Sequence, residues 1–292
     1  MKKLSIIALS LLAFVACKNG ARQSDAFGNF EVVETIVSSE TAGKLLEMKV
    51  KEGDQLENGQ LIALVDTTQL DLQKLQTEAQ LTASETKKQN VTAQINVLKE
   101  QKKTVQTNQQ RIAKMFAEKA ATQQQLDDIN GQMNILDKQI TATTTQFSLI
   151  SSEMEVIKRQ LDLLNEQLTK CRITSPIKGT VLETYLETGE LATPGKAVLK
   201  MADLSSLELK VYVSGAQLPK VKLGSEAKVL IDSGVKEMQS LSGKITWISS
   251  ESEFTPKIIQ TKEERVKLMY AVKVTVANDG RLKIGMPGEV VF

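Results

Sequence analysis

The sequence contains no histidine, and this absence excludes several kinds of chemistry. Without an imidazole there is no Ser-His-Asp triad, no Cys-His dyad and no metal site built on histidine ligands. The two cysteines, Cys17 and Cys171, lie far apart in the chain, so a cysteine-rich metal knuckle is excluded as well. We therefore predict a protein that is not an enzyme, with no catalytic residue, no metal site and no cofactor-binding site.

Proline is also scarce. The chain has 5 prolines, and the first of them is Pro176. Because proline breaks helices, the long stretch before it permits very long helices. Aromatic residues make up only 4% of the 292 residues, which suits a coiled coil and small β units better than one large enzyme core. The length allows two or three modest domains.

The N-terminus has the pattern of an export signal. Lys2 and Lys3 precede an apolar run that ends at Val15 and is too short to span a bilayer. We predict a signal peptide over residues 1–16. Its removal takes away Lys2 and Lys3 and leaves equal numbers of basic and acidic residues, which argues against nucleic acid as a partner.

Cys17 follows this signal directly, and the sequence FVAC resembles a bacterial lipobox, although Phe14 stands where leucine is usual. The resemblance implies cleavage before Cys17 and lipidation of this residue, with residues 17–30 as a lipidated polar tether. Two alternatives stay open. One is a plain signal peptide with an incidental cysteine, and the other is a Cys17–Cys171 disulfide in an oxidising compartment.

Residues 67–170 predict two long helices that pair as an antiparallel hairpin. In the second helix, seam positions recur at spacings of three and four over six heptads, and only Thr143 among them is polar. Such a pattern is the seam of a coiled coil and requires a partner helix. Its members are Leu126, Ile129, Met133, Leu136, Ile140, Thr143, Phe147, Ile150, Met154, Ile157, Leu161, Leu164 and Leu168.

The partner is the helix upstream, whose seam is less apolar. Its apolar members are Leu70, Leu81, Val91, Ile95, Leu98, Val105, Ile112 and Phe116, and Lys74, Lys88, Lys102 and Gln109 interrupt it. The segment between the helices has room only for a reversal, so we place the tip at about residues 112–123. About 50 residues per helix at 1.5 Å each predict a rod of roughly 75 Å.

Two stretches that flank the hairpin repeat each other at a constant offset, and Ser39 corresponds to Ser175. The matching glycines are Gly43, Gly53 and Gly59 in the first copy and Gly179, Gly189 and Gly195 in the second. Three glycines at one offset indicate the same three turns made twice. Neither stretch can bury a core alone, and the hairpin brings their ends together. We therefore predict that residues 31–66 and 171–203 form one β domain.

The last part of the chain, residues 204–292, changes to alternating β patterns. The clearest strands are predicted over residues 207–213, 226–231, 243–249 and 270–276, with a long polar loop over 250–268. Several short strands without long helices predict a small β-barrel.

This arrangement resembles the periplasmic adaptor proteins, or membrane fusion proteins, of the HlyD/AcrA type. The resemblance rests on the pattern G-x9-G-x5-G, which occurs twice and brackets a coiled coil, and on the terminal GRLKIGMPGEVVF. It covers nearly all of the mature chain. The implied fold is α+β and elongated, with an antiparallel coiled-coil α-hairpin inserted into a split lipoyl/biotinyl-like β domain and followed by a small β-barrel domain.

The function implied by the resemblance is that of a bridge. Such adaptors join an inner-membrane transporter to a TolC-like outer-membrane channel and act as a homo-hexamer, here in the periplasm with the lipid in the inner membrane. The segment EFTPKIIQTKEERVKLMYAVKVTV favours an ABC-type over an RND-type transporter. The end of the chain at Phe292 leaves little room for a further membrane-proximal β domain.

At the hairpin tip the resemblance implies three docking residues. Adaptors that dock on TolC-like channels carry Arg, Leu and Ser at relative spacings of four and seven, and Arg111, Met115 and Thr122 stand at these spacings. Met115 and Thr122 depart from the pattern but keep its chemistry. The alternative is that Thr122 caps the second helix and Arg111 is a solvated surface charge.

Two other functions fit parts of the pattern. A lipoyl or biotinyl carrier needs a modified lysine on the turn between its halves, but the hairpin replaces that turn and Lys49 lies inside the first half. This disfavours a carrier. A membrane-anchored coiled-coil tether without a transporter is the alternative function, although it would not need the barrel or the repeat.

Overall fold

The computed structural model describes residues 24–232, 238–253 and 269–292. The predictions for the signal peptide over 1–16 and for Cys17 lie outside the described residues, as does most of the polar loop predicted over 250–268. None of the helices in these ranges contains an apolar stretch of the length that a membrane span requires.

Two long helices, α1 (Thr68–Ala117) and α2 (Gln123–Lys170), form the predicted hairpin. Every position of the predicted α2 seam is buried or half-buried. The predicted α1 seam is confirmed as well, apart from its last member. Phe116 is 37% exposed, because α2 begins only at Gln123 and leaves no partner turn opposite it.

Three of the polar side chains that interrupt the α1 seam have a partner on α2. The pairs are Lys102 with Asp137, Gln109 with Asn130, and Lys88 with the ring of Phe147. The Gln109 amide donates to the Asn130 carbonyl oxygen at 2.6 Å, and the Lys88 ammonium lies 4.9 Å from the ring centroid. Partners that run backwards along α2 make the pairing antiparallel, and polar seam contacts of this kind fix its register.

The two repeated stretches fold together as a sandwich of two four-stranded sheets. The strands before α1 are β2 (Thr35–Ser38), β3 (Gly43–Met48), β4 (Gln55–Leu56) and β5 (Leu61–Val65). Those after α2 are β6 (Arg172–Thr174), β7 (Gly179–Thr184), β8 (Leu191–Ala192) and β9 (Ala197–Ala202). The sheet orders are β2-β9-β7-β4 and β6-β5-β3-β8, so each sheet takes strands from both stretches.

The contacts between the halves repeat with the sequence offset. Gly43 pairs with Ala192, and the equivalent pair joins Gly179 to Leu56. The buried hydroxyls of Ser39 and Ser175 each donate to a carbonyl two residues on, both at 2.7 Å. The prediction of one β domain made from two half-units is confirmed.

The hairpin leaves and rejoins this sandwich at one place. The Val65 N–H donates to the Cys171 carbonyl at 2.9 Å, so the start of α1 and the end of α2 are held side by side. One core serves both halves, and its largest fully buried members include Leu45, Ile62, Val181 and Leu199. The base of the helical hairpin is therefore attached to a single apolar core that both halves of the sandwich share.

The second β unit is a closed barrel of six strands. They are β1 (Ala26–Glu31), β10 (Ser206–Ser214), β11 (Glu226–Asp232), β12 (Met238–Glu253), β13 (Met269–Ala277) and β14 (Pro287–Val291). Their order around the barrel is β1-β10-β13-β12-β11-β14. A short 3-10 turn, Leu218–Lys220, follows β10. Residues 250–253, which we expected in a loop, continue β12.

The strand β1 corrects the prediction of a tether over residues 17–30. Ala26–Glu31 pairs antiparallel with both β10 and β14, and Phe30 is fully buried in the barrel core. The barrel thus takes a strand from the segment that precedes the sandwich. The sequence of this short segment has too few alternating apolar residues to indicate a strand, and its partner strands lie far downstream.

Candidate functional site

The tip of the hairpin is a tight turn that connects α1 to α2 through residues 118–122. The Lys119 N–H donates to the Phe116 carbonyl at 3.0 Å, and the Ala120 N–H donates to the Met115 carbonyl at 2.8 Å. These two bonds form a Schellman motif, which ends α1 sharply. Lys119 has a φ of 61°, and it is the one non-glycine residue with positive φ in the described part of the chain.

Thr122 begins α2 through a capping box. Its hydroxyl oxygen accepts from the Gln125 N–H at 3.3 Å, while the Gln125 side-chain oxygen accepts from the Thr122 N–H at 2.9 Å. Both bonds satisfy backbone donors that the first turn of a helix leaves open. Thr122 therefore has the capping role that the sequence suggested as an alternative, and its side chain is exposed at the same time.

Arg111 and Met115 lie one turn apart on the same side of α1, near its end. Both are exposed, and Met115 is 41% exposed. Arg111 borders a groove between the helices that contains Asn108 of α1 and Gln132 of α2. Among the described residues, no hydrogen bond or ion pair engages the Arg111 guanidinium. A guanidinium with five donors next to a flexible thioether suits a partner that offers backbone carbonyls and a shallow apolar surface.

The six predicted turn glycines have two different structural roles. Four of them have positive φ between 80° and 97°, which L side chains rarely adopt: Gly53, Gly59, Gly189 and Gly195. Gly43 and Gly179 instead permit close packing. A Cβ at Gly43 would lie 2.6 Å from a methyl group of Val65, and one at Gly179 would lie 2.6 Å from the Ala202 carbonyl oxygen.

The thiol of Cys171 is buried at the C-cap of α2, where the hairpin returns to the sandwich. Burial raises the pKa of this thiol above its usual value, which keeps it protonated and unreactive. The proposed disulfide to Cys17 involves a residue outside the described part of the chain.

The sequence analysis did not identify two barrel glycines that lie very close to neighbouring strands. A Cβ at Gly28 would lie 1.7 Å from the Lys210 carbonyl oxygen, and one at Gly243 would lie 2.5 Å from a methyl group of Val274. Neither glycine belongs to the repeat, so no internal comparison in the sequence could have indicated either position.

Comparison with known proteins adds a family match. Residues 33–202, more than half of the chain, match the family described as "RND MFP, barrel-sandwich hybrid domain". The chain is similar to a UPF0194 membrane protein of Acidithiobacillus ferridurans, with 26% identity over 90% of this chain and 85% of the relative. It is also similar to the UPF0194 membrane protein YbhG of Salmonella gallinarum, with 24% identity over 100% of this chain and 98% of the relative.

Solved structures show the same fold. MacA from Actinobacillus actinomycetemcomitans has a TM-score of 0.60 at 24% identity, over 91% of this chain and 76% of that protein. A MacA-MexA chimera that contains the Pseudomonas aeruginosa MexA α-hairpin domain has a TM-score of 0.53 at 24% identity, over 91% of this chain and 78% of the chimera. The shared features are a long helical hairpin and β-rich domains at its base.

Proposed function

Because the chain belongs to the membrane fusion protein family, through the barrel-sandwich hybrid domain at residues 33–202, we propose that it joins an inner-membrane transporter to a TolC-like outer-membrane channel. The observation that supports this proposal is the position of Arg111 and Met115. Both are exposed near the far end of a 50-residue helix, about 65–70 Å from its start at the sandwich. The family consists of adaptors and not of enzymes, so the role is mechanical.

The two ends of the molecule suit different tasks. At the base, the sandwich and the barrel offer two packed β units, and closure of the barrel leaves it without a free strand edge. At the other end, the capping box and the Schellman motif hold the tip turn without a large core. A coiled coil between them keeps the distance fixed, since its seam is continuous and its polar contacts set one register.

Docking of the tip is tested by reversing one charge. Arg111→Asp is expected to abolish capture of the outer-membrane channel and export, while the helix content measured by circular dichroism stays unchanged. Lys103→Asp makes the same charge reversal two turns closer to the base and is expected to leave both intact. Channel capture and export at the unsubstituted level in Arg111→Asp would contradict the docking role.

A second variant separates capping from docking at Thr122. Aspartate is a good N-cap, so Thr122→Asp is expected to preserve the start of α2 while it adds a negative charge to the tip. Channel capture should fall while thermal unfolding of the hairpin is unchanged. Unimpaired capture in this variant would leave Thr122 with its capping role alone.

We also propose that the protein is a periplasmic lipoprotein, anchored in the inner membrane through Cys17. Eight residues separate Cys17 from Ala26, the first residue of β1, so the lipid would hold the barrel within about 30 Å of the bilayer. Cys17→Ala is expected to release the protein from membranes, whereas Cys171→Ala is expected to keep it there. Retention of the Cys17→Ala protein in the membrane fraction would contradict the anchor.

For the transporter we propose the ABC type, on the resemblance of the segment at 253–276 to adaptors of such exporters. Purification of the protein from detergent-solubilised inner membranes, followed by mass spectrometry, is expected to recover a subunit with a nucleotide-binding domain. Recovery of an RND-type pump, the transporter class after which the matched family is named, would overturn the ABC assignment and leave the adaptor role in place.

A further inference from the structure

One side of the barrel carries aromatic rings on its outer surface. Along β10, Leu209, Val211 and Val213 are fully buried, so the residues that alternate with them point outward. The outward Tyr212 stands directly opposite Phe27 of the neighbouring strand β1. Side chains at opposite positions share one face of a sheet and lie within contact distance. Phe27 is 59% exposed, although it is a large apolar side chain.

Two lysines and the single tryptophan of the chain extend this surface toward β12. Lys210 of β10 stands opposite Lys273 of β13, and Lys273 stands opposite Trp247 of β12. The Lys210 ammonium lies 5.4 Å from the ring centroid of Tyr212, and the Lys273 ammonium lies 6.0 Å from that of Trp247. We name the surface formed by Phe27, Tyr212, Lys210, Lys273 and Trp247 the aromatic wall.

The charges on the aromatic wall are balanced by nearby acids. The Lys210 ammonium lies 3.5 Å from a carboxylate oxygen of Glu253, and the Lys273 ammonium lies 2.6 Å from one of Glu208. A further acid, Glu31, stands opposite Glu208 at the margin of the wall. The rings therefore dominate this surface. Both lysines stay partly exposed, so their ammonium groups can reach a phosphate while their stems lie along the rings.

The rings of Phe27 and Tyr212 lie at the end of the barrel that is farther from the sandwich. β1 runs into residues 32–34, which lead to the sandwich, and β10 begins directly after residues 203–205, which return from it. Phe27 and Tyr212 stand near the opposite ends of these strands. The chain also enters β1 at this end. Nine residues stand between Cys17 and Phe27, and they span at most about 35 Å.

We propose that the aromatic wall lies in the phospholipid headgroup layer of the inner membrane. Its nearness to the bilayer rests on the proposed lipid anchor at Cys17. Tryptophan and tyrosine collect at membrane–water interfaces, where the ring is half-buried and its polar group stays hydrated. The lysines beside the rings supply cations for lipid phosphates. The contact turns the far end of the barrel toward the bilayer and the sandwich away from it.

The size of the aromatic wall suits a membrane better than a protein partner. A stable protein interface takes about 20–30 residues on each side, and the wall has five. A bilayer contact needs fewer, because a lipid on the same chain already supplies most of the membrane affinity. The wall therefore orients the barrel and does not anchor it.

Vesicle binding by the chain without its lipid tests this contact. Residues 17–292 with Cys17→Ala are mixed with vesicles of phosphatidylethanolamine and phosphatidylglycerol, and the emission of Trp247 is recorded. Because Trp247 is the single tryptophan, its emission reports the wall. We expect a blue shift, and quenching of at least about twofold by lipids brominated on their acyl chains. Emission that vesicles leave unchanged would overturn the proposal.

A charge in place of one ring gives an independent measurement. Phe27→Glu is expected to weaken vesicle binding, measured by sedimentation, at least fivefold. Ile36→Glu is the matched control, because Ile36 is an outward residue of β2 in the sandwich and is 58% exposed. It should change binding less than twofold, and equal losses in the two variants would overturn the proposal. Thermal unfolding followed at Trp247 verifies the barrel of Phe27→Glu, and if that barrel is unfolded the quenching result decides.

Salt separates insertion of the rings from simple attraction between charges. Because acids balance the lysines of the aromatic wall, a rise in sodium chloride from about 0.1 M to 0.5 M should weaken binding less than threefold. A tenfold loss would overturn the insertion of the rings.

Cell fractionation distinguishes this contact from the proposed function. Since the aromatic wall binds weakly without a lipid, Cys17→Ala should still leave washed membranes. Release of Cys17→Ala without any vesicle binding overturns the wall contact and leaves the anchor in place. Retention of Cys17→Ala with vesicle binding intact overturns the anchor and supports the wall. Loss of transporter capture in Phe27→Glu with unchanged vesicle binding would overturn the proposal, because it would make the wall a protein-docking surface.

Discussion

The substitution Gly28→Ala tests whether the segment before the sandwich is a strand of the barrel. A Cβ at Gly28 would lie 1.7 Å from the Lys210 carbonyl oxygen, whereas carbon and oxygen atoms ordinarily approach to about 3.3 Å. The strand β1 would have to move by more than 1 Å and give up its pairing with β10. Phe30, which is fully buried, would then lose its place in the barrel core.

The expected cost follows from these losses. Exposure of a buried phenylalanine costs about 1.5–3 kcal/mol, and each lost strand hydrogen bond adds about 1 kcal/mol. We expect Gly28→Ala to destabilise the barrel by about 3–5 kcal/mol. For a unit of about 100 residues, each kcal/mol lost from the free energy of unfolding lowers the midpoint of thermal unfolding by about 4–8 °C. The midpoint should therefore fall by about 12 °C or more.

The assay is the fluorescence of the single tryptophan. Trp247 lies in β12, so its emission during heating reports the barrel and not the hairpin. Asn29→Ala is the control, since Asn29 is the exposed neighbour of Gly28 and its truncation should change stability by less than about 0.5 kcal/mol. A Gly28→Ala protein that unfolds at the unsubstituted midpoint would refute the assignment of this segment to the barrel.

Three further predictions concern the repeat, a surface ion pair and the hairpin. Gly53→Ala and Gly189→Ala should each lower the free energy of unfolding by about 1 kcal/mol, measured by thermal unfolding. The two losses should be equal because both glycines have positive φ in equivalent turns. Unequal losses would contradict the equivalence of the turns. The Arg281 guanidinium lowers the pKa of Asp279 to about 2, so Arg281→Gln should raise that pKa in an NMR titration. Stability from this exposed pair is complete above about pH 4 and is lost as the pH falls toward 2; an unmoved pKa would refute the pairing. Replacing residues 67–170 by a short turn should leave a folded β protein by circular dichroism, and an unfolded product would contradict the shared core.

The hairpin and the sandwich could be predicted because their signals repeat. The α2 seam has thirteen members at one alternation, and burial follows that pattern throughout. The glycine repeat likewise compares the chain with itself, so Gly53 and Gly189 support each other. What the repeat does not reveal is why each glycine is required. Gly43 serves close packing against Val65, although the pattern suggested a turn.

The barrel strand β1 could not be predicted in the same way. Its partners, β10 and β14, lie at the other end of the chain, and its own six residues contain one alternating pair of buried side chains, Ala26 and Phe30. The extended structure of β1 is therefore determined by its pairing with distant strands and not by its own sequence pattern. Thr122 shows a different limit, because one hydroxyl at a helix start fits both a cap and a contact with a partner, and only geometry identifies the cap.

The bridging role is tested most directly by photo-crosslinking from the two ends of the molecule. A photo-reactive amino acid in place of Met115, at the tip, is expected to capture an outer-membrane channel protein. The same amino acid in place of Met238, an exposed residue of the barrel, is expected to capture an inner-membrane transporter. Capture of proteins of the same membrane from both positions would contradict the account.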